Sequence, residues 1–123
     1  MQVRRCKVLY LEPREDVGFD LDALLAGGTG LQRDRRWVAL APHLGHEIDV
    51  DAAERELLGT LSPEEWIDAR TLNADDTDTC KHLLQKGLLV ATGKRHAAHR
   101  ARDERLRNVH WHPPTPTVHA FTR

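Results

Sequence analysis

Long apolar runs are missing from this chain: no stretch approaches the roughly 18 apolar residues of a membrane-spanning helix. The short apolar run within MQVRRCKVLYLEPRED, residues 1–16, is too brief for a secretory signal and meets acidic residues at once. Cysteine is scarce. The two that occur, Cys6 and Cys80, lie far apart and in no metal-ligand spacing, so by themselves they neither frame a disulfide scaffold nor mark a zinc site. Cross-links are not needed at 123 residues, because one domain of that size buries roughly 65–70% of the surface its unfolded chain exposes. A reducing, cytoplasmic setting is expected.

Catalytic motifs are missing too. The stretch GGTG, residues 27–30, has neither the lysine of a phosphate loop nor the spacing of a dinucleotide fingerprint, and reads as a turn. Ser, His and Asp cannot be grouped without arbitrary choice, and the paired acids Glu64 and Glu65 are explained by helix capping. No catalytic centre is expected. Nor is there an excess of one charge overall, with 18 basic and 19 acidic residues, but the signs are segregated. Residues 1–45 carry 7 Lys/Arg and 6 Asp/Glu, residues 46–86 carry 4 and 11, and residues 87–123 carry 7 and 2. The acidic middle disfavours phosphate backbones. The basic last third suits nucleic acid, an acidic peptide, or that same acidic middle.

What is present is a change of period. VRRCKVLYLE, residues 3–12, reads as a strand ending before Pro13, and DLDALLAGG, residues 20–28, as a short helix or turn stopped by Gly27 and Gly28. TGLQRDR, from Thr29, reads as loop. RWVALAP and HEIDV flank HLG and predict a hairpin over about 36–50. From Asp51 the spacing becomes helical: Val50, Ala53, Leu57 and Leu61 line one face, with Asp51 as cap and Glu54 reaching back to it. Ser62, Pro63 and Glu65 predict a second, short helix. The acidic run DDTD opens a third, with Cys80, Leu83 and Leu84 inward and Gly87 as its stop, before the brief strand LLVATG. The segment KRHAAHRARDERLRN has helical composition but little to bury, so it reads as a solvated helix or linker. A hairpin, three short helices and a strand describe an α+β fold of the winged helix-turn-helix type. The division expected is 1–93 for that domain and 94–123 for a basic helix and junction.

Eight histidines invite a metal reading. His96 and His99 share a helix face and His110 and His112 a strand face, but a third ligand, whether His119 or Cys80, is not secured by spacing. No metal is therefore expected. Cys80 as a nucleophile competes with Cys80 as a small buried hydrophobe, and the inward helix face favours the second. A winged-helix DNA-binding regulator is the alternative function. Its recognition helix would enter the groove amino end first, and here that end carries Asp75, Asp76 and Asp78, which oppose phosphate contact.

VDAAERELLGTLSPEEW, residues 50–66, with DTCKHLLQKGLLVATG, residues 78–93, resembles the PqqD-like winged-helix elements that recognise leader peptides of ribosomally made, post-translationally modified peptides. The closing RDERLRNVHWHPPTPTVHAFTR is similar to the junction of SagB-type, flavin-dependent peptide dehydrogenases. The start VRRCKVLYLEPRE and LSPEEW look most like their subgroup of peptide maturation dehydrogenases. One departure is the polar stretch ARTLNADDTD, residues 69–78.

The resemblance implies that this chain binds a precursor peptide and presents it to a dehydrogenase domain joined in cis or supplied in trans. It implies no cofactor in this chain and flavin mononucleotide in the nitroreductase-like domain downstream of the junction. It implies a peptide added as a strand to His46–Val50, with Ile48 and Val50 near an apolar groove and Thr79, His82 and Lys86 of the third helix opposite. Competing readings place Ile48 and Val50 in the core and Lys86 at the helix end for its charge. An apolar edge that pairs with itself would give a homodimer instead. The final segment is expected to be poorly packed, with Trp111 and Phe121 seeking cover.

Overall fold

The computed structural model describes residues 1–106, 111–113 and 120–122. Among them the elements run β1 (Gln2–Arg5), β2 (Tyr10–Phe19), α1 (Leu21–Leu25), β3 (Leu31–Leu40), β4 (Ile48–Val50) and α2 (Ala52–Thr60). There follow β5 (Ile67–Asp68), α3 (Ala74–Lys86), β6 (Leu89–Ala91), α4 (Ala97–Arg105) and β7 (Ala120–Thr122). Single 3-10 turns occupy Ala69–Thr71 and Lys94–His96. The fold is α+β, and its strands form two sheets. No helix among the described residues is long and apolar enough to cross a membrane.

The first sheet has the order β5-β1-β6, all antiparallel, with Val3 opposite Ile67 on one side and Ala91 on the other. Every residue of β6 is buried, and the core gathers beneath it: Val3, Leu57, Leu58, Leu83, Leu88, Leu89 and Val90 pack together with Cys6 and Cys80. Burying each of the larger aliphatic side chains stabilises the fold by about 1.5–3 kcal/mol relative to leaving it exposed.

The helices that supply this core are closed by their own sequence. Asp51 accepts from the Glu54 amide at 2.7 Å while the Glu54 carboxylate accepts from the Asp51 amide at 3.1 Å, the capping box expected for α2. The inward face of α2 is Glu54, Leu57 and Leu58, so Ala53, expected there, is exposed and a carboxylate takes the buried position. The cap of α3 is Asn73, one residue ahead of the expected acidic start, and Gly87 ends the helix at φ 78°, a conformation that favours glycine.

The helix expected from Ser62 is absent. Ser62 does accept from the Glu64 and Glu65 amides at 2.9 and 3.2 Å, but the chain then extends through Trp66 so that Ile67 and Asp68 pair with β1. Sheet pairing with β1 outweighs a local cap here. Thus α2, α3 and β6 stand where the first helix, third helix and closing strand were expected, with β5 and a 3-10 turn between the helices.

The second sheet has the order β4-β3-β2-β7. β2 and β3 pair over ten residues, from Tyr10 opposite Leu40 to Phe19 opposite Leu31. The expected strand at 3–12 is therefore two strands broken at Cys6–Leu9, and the expected loop from Thr29 becomes strand from Leu31. The charged residues responsible face one another. Arg14 and Arg36, directly opposite, share the Glu47 carboxylate at 2.8 Å each, and Glu12, Asp16 and Asp49 complete the network. β3 also forms the expected hairpin with β4.

The basic segment after Gly93 is helical, as its composition suggested, and docks by charge. Asp103 of α4 is 2% exposed and meets Arg4 of β1, itself 1% exposed, at 2.7 Å. Trp111 touches Tyr10, whose hydroxyl donates to the Trp111 carbonyl at 3.3 Å, and β7 lies parallel beside Val17–Phe19. Trp111 and β7 thus lie against the second sheet, a closer attachment than expected. His110 and His119 lie outside the described residues, as does the Phe121 side chain.

Candidate functional site

β4 is an edge strand, and its backbone direction is fixed by one contact. Lys86 Nζ donates to the Asp49 carbonyl at 2.9 Å from outside the sheet, so that carbonyl points away from β3. The alternation of an antiparallel ladder then puts the Asp49 amide on the same outer side, leaving Ile48 and Val50 to bond with Ala39 and Trp37. A short edge with one outward amide and one outward carbonyl is a place for one added strand.

Lys86 is held there by a second group. Its Nζ also donates to Glu54 Oε1 at 2.7 Å, and Glu54 is 2% exposed, so the ammonium bridges α3, α2 and the edge of β4. The other carboxylate oxygen, Glu54 Oε2, is buried and has no hydrogen-bond partner among the described residues. An unsatisfied buried carboxylate oxygen carries a desolvation penalty, and that penalty falls when a donor reaches it.

Of the six predicted site residues, three come together. Val50 is buried and Ile48 half-buried, so Val50 behaves as the core reading had it, while Lys86 joins them at the edge. His82 is exposed on α3. Thr79 is half-buried and its hydroxyl donates to Asp75 within its own helix at 3.1 Å. His46 is exposed in the turn before β4 and lines a separate pocket of about 270 Å³ with Leu40, Pro42, Leu44 and Trp111. A pocket of about 520 Å³ flanks α3 at Lys81, Leu84 and Gln85 and is lined on its other side by Met1 and the Lys94–His96 turn, away from the predicted stripe.

A second arrangement was not expected. Cys6, at the end of β1, His43, in the turn after β3, and His99, on α4, bring one ligand atom each to within 4.8 Å of one another. Cys6 Sγ lies 3.7 Å from His99 Nε2 and donates to the Gly87 carbonyl at 3.4 Å. His43 Nε2 sits 2.7 Å from that same carbonyl, and His99 Nε2 sits 3.2 Å from the Leu89 carbonyl. A carbonyl only accepts, so both rings carry their proton on Nε2. His99 Nδ1 is then free to accept from the Arg102 guanidinium at 3.0 Å.

Burial, with the nearby Asp103 charge as second cause, pushes the Cys6 thiol up to about 12. Burial first, and then the neighbouring His43 and Arg102, lower the His99 pKa from its ordinary value. A neutral thiol beside a neutral imidazole is not a nucleophile with its base.

No protein-family model, curated protein or solved structure matches this chain.

Spacing pairs His99 with His96 and leads to no metal being expected; the fold instead brings Cys6 and His43 to His99. His96 faces Gly93, and Cys80 is buried on α3 with its pKa raised by burial, outside the cluster. Cys6 and His43 had no local spacing to reveal them, because strand pairing and helix docking alone bring them to His99. Asp49 and Glu54 were equally hidden. A buried glutamate on the apolar face of α2, paired to the last lysine of α3, is legible only once both helices are in place.

Proposed function

We propose that this chain binds an extended segment of a ribosomally made precursor peptide at the β4 edge and presents it to a flavin-dependent peptide dehydrogenase. The observation that carries the reading is the outward-facing Asp49 amide and carbonyl beside Lys86. An added strand takes both backbone groups. Lys86 yields the carbonyl, keeps Glu54, and remains near the incoming chain as a cation suited to acidic residues. Main-chain bonds supply affinity in such an addition, and side chains against Ile48 and α3 supply selectivity. The acidic amino end of α3, with Asp75 and Asp76 in its first turn, supports this reading over a DNA-binding regulator.

Calorimetric titration of the intact protein with the leader peptides of precursors encoded beside it tests the proposal. Saturable binding is expected, abolished by Asp49→Pro, which removes the outward amide while leaving the β3 pairing in place. Binding that survives D49P in a folded protein would exclude strand addition at this edge. Duplex DNA binding that weakens steeply with salt would favour the regulator instead.

A further inference from the structure

We propose that Cys6, His43 and His99 form a zinc site, a role separate from peptide binding. The three residues come from the end of β1, the turn after β3 and helix α4, so chance sequence proximity does not explain their meeting. Their donor set, one sulfur and two imidazole nitrogens, suits a borderline-soft divalent ion.

The geometry is close to what such an ion requires. Zinc bonds of about 2.0–2.1 Å to nitrogen and 2.3 Å to sulfur give tetrahedral edges of roughly 3.3–3.7 Å. The Cys6 Sγ to His99 Nε2 separation of 3.7 Å already matches, and the widest separation in the group, under 4.8 Å, closes by about an ångström of side-chain rotation. Among the described residues no fourth side chain joins the group, so the fourth position falls to water or another added donor.

Proton accounting sets the terms of binding. In the metal-free protein the thiol proton and one of the two Nε2 protons point at the Gly87 carbonyl, and the other Nε2 proton points at Leu89. The ion takes the place of all three. The Cys6 proton leaves to solvent, since a thiolate is the ligand. Each imidazole binds neutral through Nε2, its proton shifting to Nδ1. For His99 that shift meets an obstacle, because Nδ1 now faces a guanidinium, which has no acceptor to offer. A metal-bound histidine ordinarily donates its other N–H to a carbonyl or carboxylate. Arg102, exposed on α4, must therefore swing aside, and it opposes binding. Once bound, the ion ties α4 and the turn carrying His43 to the end of β1.

The test is titration of the reduced, chelator-treated protein with Co²⁺, followed by displacement with Zn²⁺. Expected are one ion per chain, a sulfur-to-cobalt charge-transfer band in the near ultraviolet, and a rise in melting temperature with Zn²⁺. Cys80→Ser keeps the band and Cys6→Ser loses it. Because Cys6 is buried, His99→Gln, on a half-buried helix position, provides the second check: a folded H99Q protein loses the zinc-dependent rise. Arg102→Gln, which offers Nδ1–H an acceptor, tightens binding by up to about tenfold. A folded wild-type protein with no thiolate band at millimolar Co²⁺, or a band unchanged in C6S, overturns the proposal. Undiminished zinc stabilisation of H99Q does the same.

Discussion

Asp103→Ala tests how the basic C-terminal helix is held. Arg4 and Asp103 are 1% and 2% exposed, and their 2.7 Å contact joins α4 to the central strand of the first sheet. Removing the carboxylate leaves the Lys7 amide without the acceptor it has at 3.0 Å, and leaves a buried guanidinium short of its buried counter-charge. Breaking one side of a buried pair costs about 3–5 kcal/mol. Arg4 keeps Glu104 at 2.9 Å, the Arg5 and Pro63 carbonyls, and the Trp66 ring 4.8 Å away, so the lower half of that range, about 3–4 kcal/mol, is expected. For a domain of this size each kcal/mol lowers the melting temperature by roughly 3–6 °C. The loss should therefore be about 10–20 °C. Urea unfolding followed by the fluorescence of the three tryptophans measures it. The double variant Arg4→Met with Asp103→Leu, which removes both charges, should recover at least about 2 kcal/mol. A loss below about 1 kcal/mol for D103A, or no recovery in the double variant, would refute the view that this pair fastens α4.

Three further outcomes are expected. In the metal-free folded protein at pH 8, neither Cys6, with its thiol pushed up to about 12, nor Cys80, raised by burial, should react appreciably with a thiol reagent, whereas both react in denaturant; rapid labelling of Cys6 would mean that the end of β1 opens readily. Burial alone would raise the Glu47 carboxyl, but hydrogen bonds from Arg36 and Arg14 outweigh it and hold the carboxyl below its ordinary 4.5. Its contribution is therefore complete above that value and is lost as pH falls through the folded-state pKa, so Glu47→Gln should flatten the acid side of the stability profile. Asp51→Ala, which removes the capping box of α2, should cost about 1 kcal/mol by equilibrium denaturation, and an unchanged midpoint would count against the cap.

The helical half of the fold was legible because its signals are local. Asp51 with Glu54 and the stop at Gly87 need only a few neighbouring residues to act, and each does what its spacing implies. The long hairpin was not legible, because LEPREDV and LQRDRRW show no apolar alternation. The ion pairs that join the two strands, Arg36 with Asp16 and Arg33 and Arg35 with Glu15, exist only after β2 finds β3, and Glu47 then bridges Arg14 and Arg36. Ser62 shows the converse: its hydroxyl caps two amides as predicted, yet the helix does not follow, since Ile67 has a place beside Val3. At the candidate site the β4 edge and Lys86 were anticipated. Asp49 and Glu54 were not, because their importance lies in where α3 lands.

The middle position of β1 has a consequence for synthesis. β1 does not pair with β2, the next strand in sequence; Val3 lies opposite Ile67 and Ala91. At about 5–20 residues per second, the 88 residues from Val3 to Ala91 take the ribosome roughly 4–18 s to make. Until β5 is made neither flank of this central strand has a partner, and until β6 is made one flank stays bare. A strand made before both of its partners is thus among the last to be sheltered, and a growing chain stalled before Leu89 would offer its open flank to whatever chaperone, or neighbouring nascent chain, arrives first.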